Sequence, residues 1–192
     1  DSICVSSGTA AVQLAIQACN IGNGDEILVP SMTYVATFQA IKAAGAKPIA
    51  CDIDENTCLI DLKDASSKIS KRTKAIIPVH YTGGVGNLDE LYSFASKHNL
   101  RVIEDAAHAF GTKYKDNLIG SIGDIVCFSF DGIKNITSGE GGCVVTSDSK
   151  VAENIKNARL LGVEKDSDNR YKNLRSWNFD VSNQGWRYHM SN

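Results

Sequence analysis

Lys134 lies in a stretch of the sequence whose other residues carry little charge. The stretch is SFDGIKNITSGEGG, residues 129–142, and Asp131 is the one acidic residue within four positions of the lysine. A lysine at a site with little water has a lowered pKa, and its amine is then nucleophilic towards carbonyl groups. An ordinary surface lysine is the alternative, so the chemistry depends on what surrounds Lys134.

A second candidate stretch, SSGTAA at 6–11, lies where a predicted strand gives way to a helix. Free backbone N–H groups and the partial positive charge of a helix N-terminus suit a phosphate at such a junction. The spacing matches neither the P-loop nor the GxGxxG motif of dinucleotide folds. Serine and threonine are also ordinary helix caps, which is the simpler interpretation of the stretch taken alone.

A third stretch, VIEDAAHAFG at 102–111, ends a predicted strand with Glu104 and Asp105, and His108 follows. A carboxylate there could hold a protonated ring nitrogen, with the histidine against the same ring. A capping aspartate beside a satisfied histidine is the alternative. A phosphate cradle, an acid for a pyridinium nitrogen and a lysine for an aldehyde together match pyridoxal 5′-phosphate (PLP), which is therefore the predicted cofactor.

Strand-like and helix-like runs alternate along the chain, and they determine where these residues lie. The predicted strands are 3–6, 26–30, 47–53, 74–81, 101–105, 125–130 and 142–147. The predicted helices are 10–19, 34–44 with Thr33 as its cap, 61–69 opened by Asp61, 87–98 and 150–161, followed by a loop over 162–184. This alternation predicts parallel βαβ units with helices on both faces of one sheet, and ligands at the carboxyl ends of the strands.

Composition excludes several classes of function. The 20 basic and 22 acidic residues nearly balance, which argues against a protein that binds nucleic acid. No apolar run approaches the roughly 18–20 residues that cross a bilayer, and no signal pattern opens the chain, so we expect a cytoplasmic protein without a membrane partner. The six cysteines form no CxxC pair, which indicates reduced core residues and no metal site.

The order of motifs resembles the DegT/StrS-type family of PLP-dependent sugar aminotransferases, which have the aspartate aminotransferase fold. The matching blocks are SSGTAA, VPSMTYVAT, VHYTGG, EDAAHAFGT, FSFDGIKNITSGEGG and GWRYHMS. The resemblance implies an α/β fold, a three-layer αβα sandwich around a mostly parallel mixed sheet. It also implies that residues 1–192 are the large PLP-binding domain of a longer polypeptide, without its N-terminal segment and small C-terminal domain.

The resemblance implies a role for individual residues. Lys134 would bond to the cofactor aldehyde and carry protons, and Asp105 would keep the pyridine nitrogen protonated. The other implied contacts are Gly8, Thr9, Ala10 and Ser129 with the phosphate, Tyr34 stacked on the ring, His108 near the phenolic oxygen, and Arg187 with the phosphate of a neighbouring subunit's cofactor. Many relatives carry asparagine where this chain has Arg187, and a guanidinium can serve a phosphate as well.

The implied reaction moves an amino group from glutamate, through PLP, to a keto group of a nucleotide-linked deoxy sugar, for polysaccharide or amino-sugar biosynthesis. Active sites of this fold lie at a dimer interface, so a homodimer with shared active sites is implied. A subset of the family has histidine at the position of Lys134 and dehydrates its substrate, so the lysine favours transamination. A PLP-dependent sugar dehydratase or lyase, and a regulatory homologue that has lost catalysis, stay as alternatives.

Overall fold

Nine strands occur in the computed structural model, which describes residues 1–163, 180–181 and 183–191. In chain order they are β1 (Ser2–Val5), β2 (Glu26–Pro30), β3 (Lys47–Cys51), β4 (Thr73–Ile76), β5 (Arg101–Asp105), β6 (Lys113–Tyr114), β7 (Asn117–Leu118), β8 (Ile125–Ser129) and β9 (Gly142–Thr146). Seven of them form one sheet in the order β1-β9-β8-β5-β4-β2-β3, and β6 pairs with β7 in a separate hairpin.

Strand β9 is the one strand of the large sheet that runs against the others. The β2–β3, β2–β4, β4–β5 and β5–β8 pairs are parallel, whereas β9 is antiparallel to both β8 and β1. The sheet is therefore mixed and mostly parallel, as predicted. The carboxyl ends of the other six strands share one edge of the sheet, which is called the carboxyl edge below.

Five α-helices connect the strands and cover the sheet. They are α1 (Gly8–Ala18), α2 (Val35–Ala43), α3 (Leu62–Ser67), α4 (Leu88–Lys97) and α5 (Ser149–Ala158). Side chains cap four of them, because Ser7, Asp61, Asn87 and Asp148 each accept from backbone N–H groups of the following turn. Such caps satisfy donors that the helix itself leaves free.

The predicted cap of α2 was wrong. Tyr34, not Thr33, precedes the helix, and no side chain caps it. The Thr33 hydroxyl lies 2.8 Å from that of Thr37 instead.

Two hydrophobic clusters, one on each face of the sheet, make the fold a three-layer αβα sandwich. On one face α1, α2 and α5 pack over the sheet through residues such as Leu14, Ile41 and Ile155, together with Ile103 of β5. On the other face α3 and α4 pack over Val102 of β5. Successive residues of β5 therefore point to opposite faces, as the period of two in a strand requires.

Two parts of the chain differ from the sequence-based prediction. The strand predicted over 74–81 leaves the ladder after Ile76, and only a single bridge joins Val79 to Asp105 before a 3-10 turn at Tyr81–Gly83. The β6–β7 hairpin was not predicted, since strands of two residues show no periodicity. Of the loop predicted over 162–184, residues 164–179 and 182 lie outside the described residues, and Val163 pairs with Val181 across an antiparallel bridge.

The cysteines follow the prediction only in part. Cys51, Cys127 and Cys143 are buried, but Cys4 is exposed and Cys19 and Cys58 are intermediate. All six are free thiols. Among the helices of the described ranges, none is long and apolar enough to span a bilayer.

Residues 186–190 form a strap that crosses α1. The Trp186 N–H donates to the Ala158 carbonyl at 2.6 Å, and the Ser6 N–H donates to the Tyr188 carbonyl at 2.7 Å. The Trp186 and Tyr188 rings stack 5.6 Å apart, and both donate to glutamine side chains of α1. The strap therefore braces the helix whose first turn lies at the carboxyl edge.

Candidate active site

The first turn of α1 lies directly against the end of β8. A Cβ atom added to Gly8 would come 2.7 Å from the Ser129 Cβ, closer than such atoms approach in proteins. A side chain at Gly142, where β9 begins, would overlap the Ser7 carbonyl oxygen. Both glycines thus let three backbone segments meet, and the predicted residues Gly8 and Ser129 are brought together.

This junction leaves hydrogen-bond donors free. The Ala10 N–H already donates to the Ser7 hydroxyl at 3.1 Å, whereas the N–H groups of Gly8 and Thr9 have no acceptor within the described ranges. Ser129 is buried, and among the described residues its hydroxyl makes one long contact, 3.5 Å from the Asp131 N–H. Free donors at a positively polarised helix end fit the phosphate of PLP.

Asp105 is a buried carboxylate held by hydrogen bonds. Asp105 is 9 % exposed. Its Oδ2 accepts from the Thr37 hydroxyl at 2.8 Å, and its Oδ1 accepts from the Ala107 N–H at 3.2 Å. None of the ion pairs between described residues includes Asp105. A buried carboxylate without a cationic partner is costly, and a protonated pyridine nitrogen would supply the missing positive charge.

Lys134 and His108 lie near Asp105 in the same region. Partial burial lowers the pKa of His108, the positive charge of Lys134 lowers it further, and the negative charge of Asp105 acts in the opposite sense. The imidazole is thus within electrostatic reach of both predicted groups. Its Nδ1 accepts from the Thr82 N–H at 3.4 Å.

The loop between β8 and β9 presents Lys134. The Lys134 side chain is half-buried, although its neighbour Ile133 is 87 % exposed. Its Nζ forms no salt bridge with any carboxylate of the residues described above. Asn135 anchors the loop by donating to the Phe110 carbonyl at 2.8 Å. A half-buried amine without a carboxylate partner differs from the ordinary surface lysine of the alternative interpretation.

Two predicted site residues are exposed and make no side-chain hydrogen bond with this group among the described residues. Tyr34 follows β2 at the carboxyl edge, one turn before Thr37, and is 76 % exposed. Arg187 is exposed on the strap, between two rings that pack on α1, and it forms no hydrogen bond or ion pair with the other predicted residues in the described part of the chain. The structure therefore places Gly8, Thr9, Ala10, Tyr34, Asp105, His108, Ser129 and Lys134 at the carboxyl edge, with Tyr34 exposed there, and it places Arg187 on the strap.

Sequence reasoning missed residues that support Asp105. Thr37 lies inside the predicted helix, and a buried threonine on the sheet-facing side of that helix is the signal that could have indicated it. His80 follows a buried run, and its Nε2 lies 2.6 Å from Glu104 Oε2. No pattern in the sequence connects these two residues, which are far apart along the chain.

Comparison with known proteins gives matches over nearly the whole chain. The model of the DegT/DnrJ/EryC1/StrS aminotransferase family matches residues 1–192. The spore coat polysaccharide biosynthesis protein SpsC of Bacillus subtilis is 42% identical over 189 residues, which cover 98% of this chain and 49% of SpsC. The chain thus spans about half the length of the curated relatives it matches.

Solved structures match the fold closely. Sugar aminotransferase CalS13 from Micromonospora echinospora has a TM-score of 0.88 and 31% identity, over 98% of this chain and 52% of CalS13. The PLP form of Spr1654 from Streptococcus pneumoniae has a TM-score of 0.86 and 30% identity, over 99% of this chain and 51% of Spr1654. These matches agree with the αβα sandwich described above.

Proposed function

Because the chain belongs to the DegT/DnrJ/EryC1/StrS aminotransferase family, we propose that its protein is a PLP-dependent aminotransferase that moves an amino group from glutamate to a keto group of a nucleotide-linked deoxy sugar. Polysaccharide or amino-sugar biosynthesis would use the product. The observation that carries the proposal is Asp105, which is buried, hydrogen-bonded and without a cationic partner among the described residues.

PLP, when bound, supplies an aldehyde for amines and a protonated ring that accepts electrons. Asp105 holds the proton on the ring nitrogen, because its carboxylate is fixed by Thr37 and Ala107 and gains a positive partner. The fixed orientation matters, since a charge-assisted hydrogen bond depends on geometry.

The first turn of α1 would hold the phosphate. The N–H groups of Gly8 and Thr9 and the Ser129 hydroxyl would be the donors, since none of the three donates to another group among the described residues. Ala10 belongs to this first turn, but its N–H is not a free donor because it is already bonded to the Ser7 hydroxyl.

Lys134 moves protons at its Nζ. The half-buried amine is bound to no carboxylate within the described ranges, so no ion pair holds it away from the cofactor as it carries a proton. His108 lies beside it and stays neutral near pH 7, since its pKa is lowered. A neutral imidazole can donate to, or accept from, an oxygen on the ring.

A homodimer with shared active sites completes the proposal. The large hydrophobic side chains Tyr34, Val35, Ile133 and Ile136 are all exposed near the ends of elements that form the site. Covering such surface on association is favourable. Tyr34 would then stack on the ring and Arg187 would reach the phosphate of the partner's cofactor. We also propose that residues 1–192 are the large PLP-binding domain of a longer chain.

Cofactor absorbance tests the proposal. Purified protein should develop the absorbance band of lysine-bound PLP on incubation with the cofactor, and Lys134→Ala should abolish it. Glutamate should convert the band to that of the amine form, and a suitable nucleotide keto sugar should restore it. A dehydratase or lyase would bind PLP but would not accept an amino group from glutamate. A homologue that has lost catalysis would not carry out the transfer, and a protein that stays colourless with PLP would contradict the proposal.

A further inference from the structure

The end of β5 is held from both faces of the sheet. Asp105 points to the face covered by α1 and α2, where Thr37 donates to it. Glu104 points to the opposite face, where its Oε1 accepts from the Tyr92 hydroxyl of α4 at 2.6 Å. Two adjacent carboxylates of one strand are thus bound to different helices.

Glu104 is the centre of a hydrogen-bonded cluster in which Glu104 and His80 are closed off from water. Glu104 and His80 are 0 % and 1 % exposed, and His80 Nε2 lies 2.6 Å from Glu104 Oε2. The Tyr92 hydroxyl also accepts from the Asp124 N–H at 2.8 Å. Burial and the charge of Glu104 both raise the pKa of Tyr92, so the phenol keeps its proton and donates. A side chain at Gly123 would overlap Glu104 Oε1, so the cluster is also closely packed.

The same cluster is bonded to the backbone of Asp105. His80 donates its N–H to the Asp105 carbonyl at 3.0 Å, and the Asp105 N–H donates to the Pro78 carbonyl at 2.9 Å. The regular β4–β5 ladder ends at the pairing of Ile76 with Val102. Proline lacks an N–H and cannot continue the ladder as a donor. A single bridge between Val79 and Asp105 rejoins this segment to β5, and the bonds of Glu104 to His80 and Tyr92 hold the same strand end from the face covered by α4.

We propose that Glu104, His80 and Tyr92 are positioning residues that hold Asp105 in the orientation required by the cofactor's ring nitrogen. The proposal rests on the proposed function, and none of the three residues is assigned a contact with the cofactor. Without Glu104, His80 and Tyr92 lose the carboxylate that they share. Asp105 then keeps its charge, its bond to Thr37 and its backbone bonds to Pro78 and His80, but the His80 segment is no longer held by the Glu104 side chain on the opposite face of the sheet.

Glu26 provides a matched control. It is also a buried acid, 4 % exposed, and it accepts from Ser70 and Arg72. It opens β2, so it lies at the edge of the sheet opposite to the carboxyl edge. Glu26→Ala and Glu104→Ala therefore both remove a buried, doubly bonded carboxylate, and only the second does so beside Asp105.

Titration with PLP, followed by absorbance, measures the dissociation constant of the cofactor for each variant, and thermal unfolding without PLP measures stability. We expect Glu104→Ala to raise the dissociation constant about tenfold, the lower end of what outer-shell partners contribute at metal sites. Glu104→Gln should restore it to within about threefold of the unmodified protein, because the amide oxygen can accept from Tyr92 and the amide N–H can donate to His80 Nε2 in the tautomer that carries its proton on Nδ1. Glu26→Ala should leave it within about twofold, although this variant also removes a buried carboxylate together with its hydrogen bonds to Ser70 and Arg72.

The outcomes separate the two proposals. A protein that takes up PLP, but with equal dissociation constants for Glu104→Ala and Glu26→Ala, would overturn the positioning role alone. An unmodified protein that takes up no PLP would overturn the proposed function and this inference with it. If Glu104→Ala does not fold, Tyr92→Phe takes its place, with an expected rise of about threefold for the one hydrogen bond lost to Glu104; no rise would overturn the inference.

Discussion

At the scale of single residues, position along a strand decides what a carboxylate does. Glu104 and Asp105 are neighbours with nearly the same chemistry, yet one is enclosed with His80 and the other faces the first turns of α1 and α2. The period of two in a strand separates them. The face of the sheet on which a buried acid lies thus decides whether it supports the fold or belongs to the candidate site.

Thr37 should support Asp105 directly. Thr37→Val keeps the volume but removes the hydroxyl that donates to the carboxylate at 2.8 Å. We expect the free energy of unfolding to fall by about 1–3 kcal/mol, because a buried acceptor loses its partner, and the affinity for PLP to fall as well. Urea unfolding and PLP titration measure the two effects.

Thr33→Val is the control for Thr37→Val. It removes the hydroxyl 2.8 Å from that of Thr37 but leaves the bond to Asp105 in place. Equal losses of PLP affinity in both variants would contradict the direct role of Thr37.

The lowered pKa of His108 should appear in the dependence of stability on pH. The folded state resists protonation, since partial burial and Lys134 disfavour the charged imidazole. The unfolded state therefore binds more protons, and stability is lost as the pH falls below the ordinary histidine value of 6.5. His108→Gln should lose less stability than the unmodified protein between neutral pH and pH values below that point. Urea midpoints at each pH check this, and parallel curves for the two proteins would refute it.

At the scale of elements, the N-terminus of α1 depends on one capping side chain. The Ser7 hydroxyl accepts from the Ala10 N–H at 3.1 Å, and Ser7→Ala should lower the free energy of unfolding by about 1 kcal/mol. Ser2→Ala, in an exposed position of β1, should have little effect. Denaturant unfolding of both variants is the measurement, and equal midpoints would count against the cap.

Close approach between α1 and β8 should make Gly8 intolerant of a side chain. The added methyl group of Gly8→Ala would lie 2.7 Å from the Ser129 Cβ, so we expect a loss of about 1–3 kcal/mol from overpacking. Gly132→Ala is the control, because its nearest neighbour atom is 3.7 Å away, an ordinary contact. Thermal unfolding compares them, and a smaller loss for Gly8→Ala than for Gly132→Ala would be the contrary result.

The sequence predicts elements well where periodicity is long and poorly where pairing is irregular. The alternating runs correctly indicate the seven strands of the sheet, because each strand is a short apolar run bounded by turn residues. The strand predicted over 74–81 is longer than the observed one, because the apolar run continues through Pro78 whereas the regular ladder ends at Ile76. Thr33 does not cap α2 because its hydroxyl contacts that of Thr37 instead, and the sequence alone does not indicate this contact.

The candidate site follows the same division. Asp105, Ser129 and Lys134 could be predicted to lie together, because each follows a strand of a parallel sheet. The bonds of Thr37 to Asp105 and of His80 to Glu104 could not, since they depend on the register between helices and strands.

At the scale of the whole molecule, the reactivity of the cysteines reports how well the packed layers exclude solvent. Burial raises the pKa of Cys19, Cys51 and Cys143 to about 11, and it raises that of fully buried Cys127 as well. Thiolates are the reactive species. A thiol reagent at neutral pH should therefore label exposed Cys4 first, and buried Cys51, Cys127 and Cys143 only after unfolding.

Mass spectrometry of the labelled peptides checks this order. Cys4→Ser should remove the fast phase, and rapid labelling of Cys127 in the folded protein would show that the layers open readily.

The reversed strand β9 makes the segment that carries Lys134 a hairpin connection instead of a crossover. Ser129 and Gly142 are paired residues, and the Phe130 N–H donates to the Gly141 carbonyl at 2.8 Å, so both ends of the segment are tethered side by side. Because the two ends of the segment are bonded to each other, the distance over which the Lys134 side chain can move is limited. The amine can pivot over a small radius, and changes in the length of this segment would displace it without altering the register of the sheet.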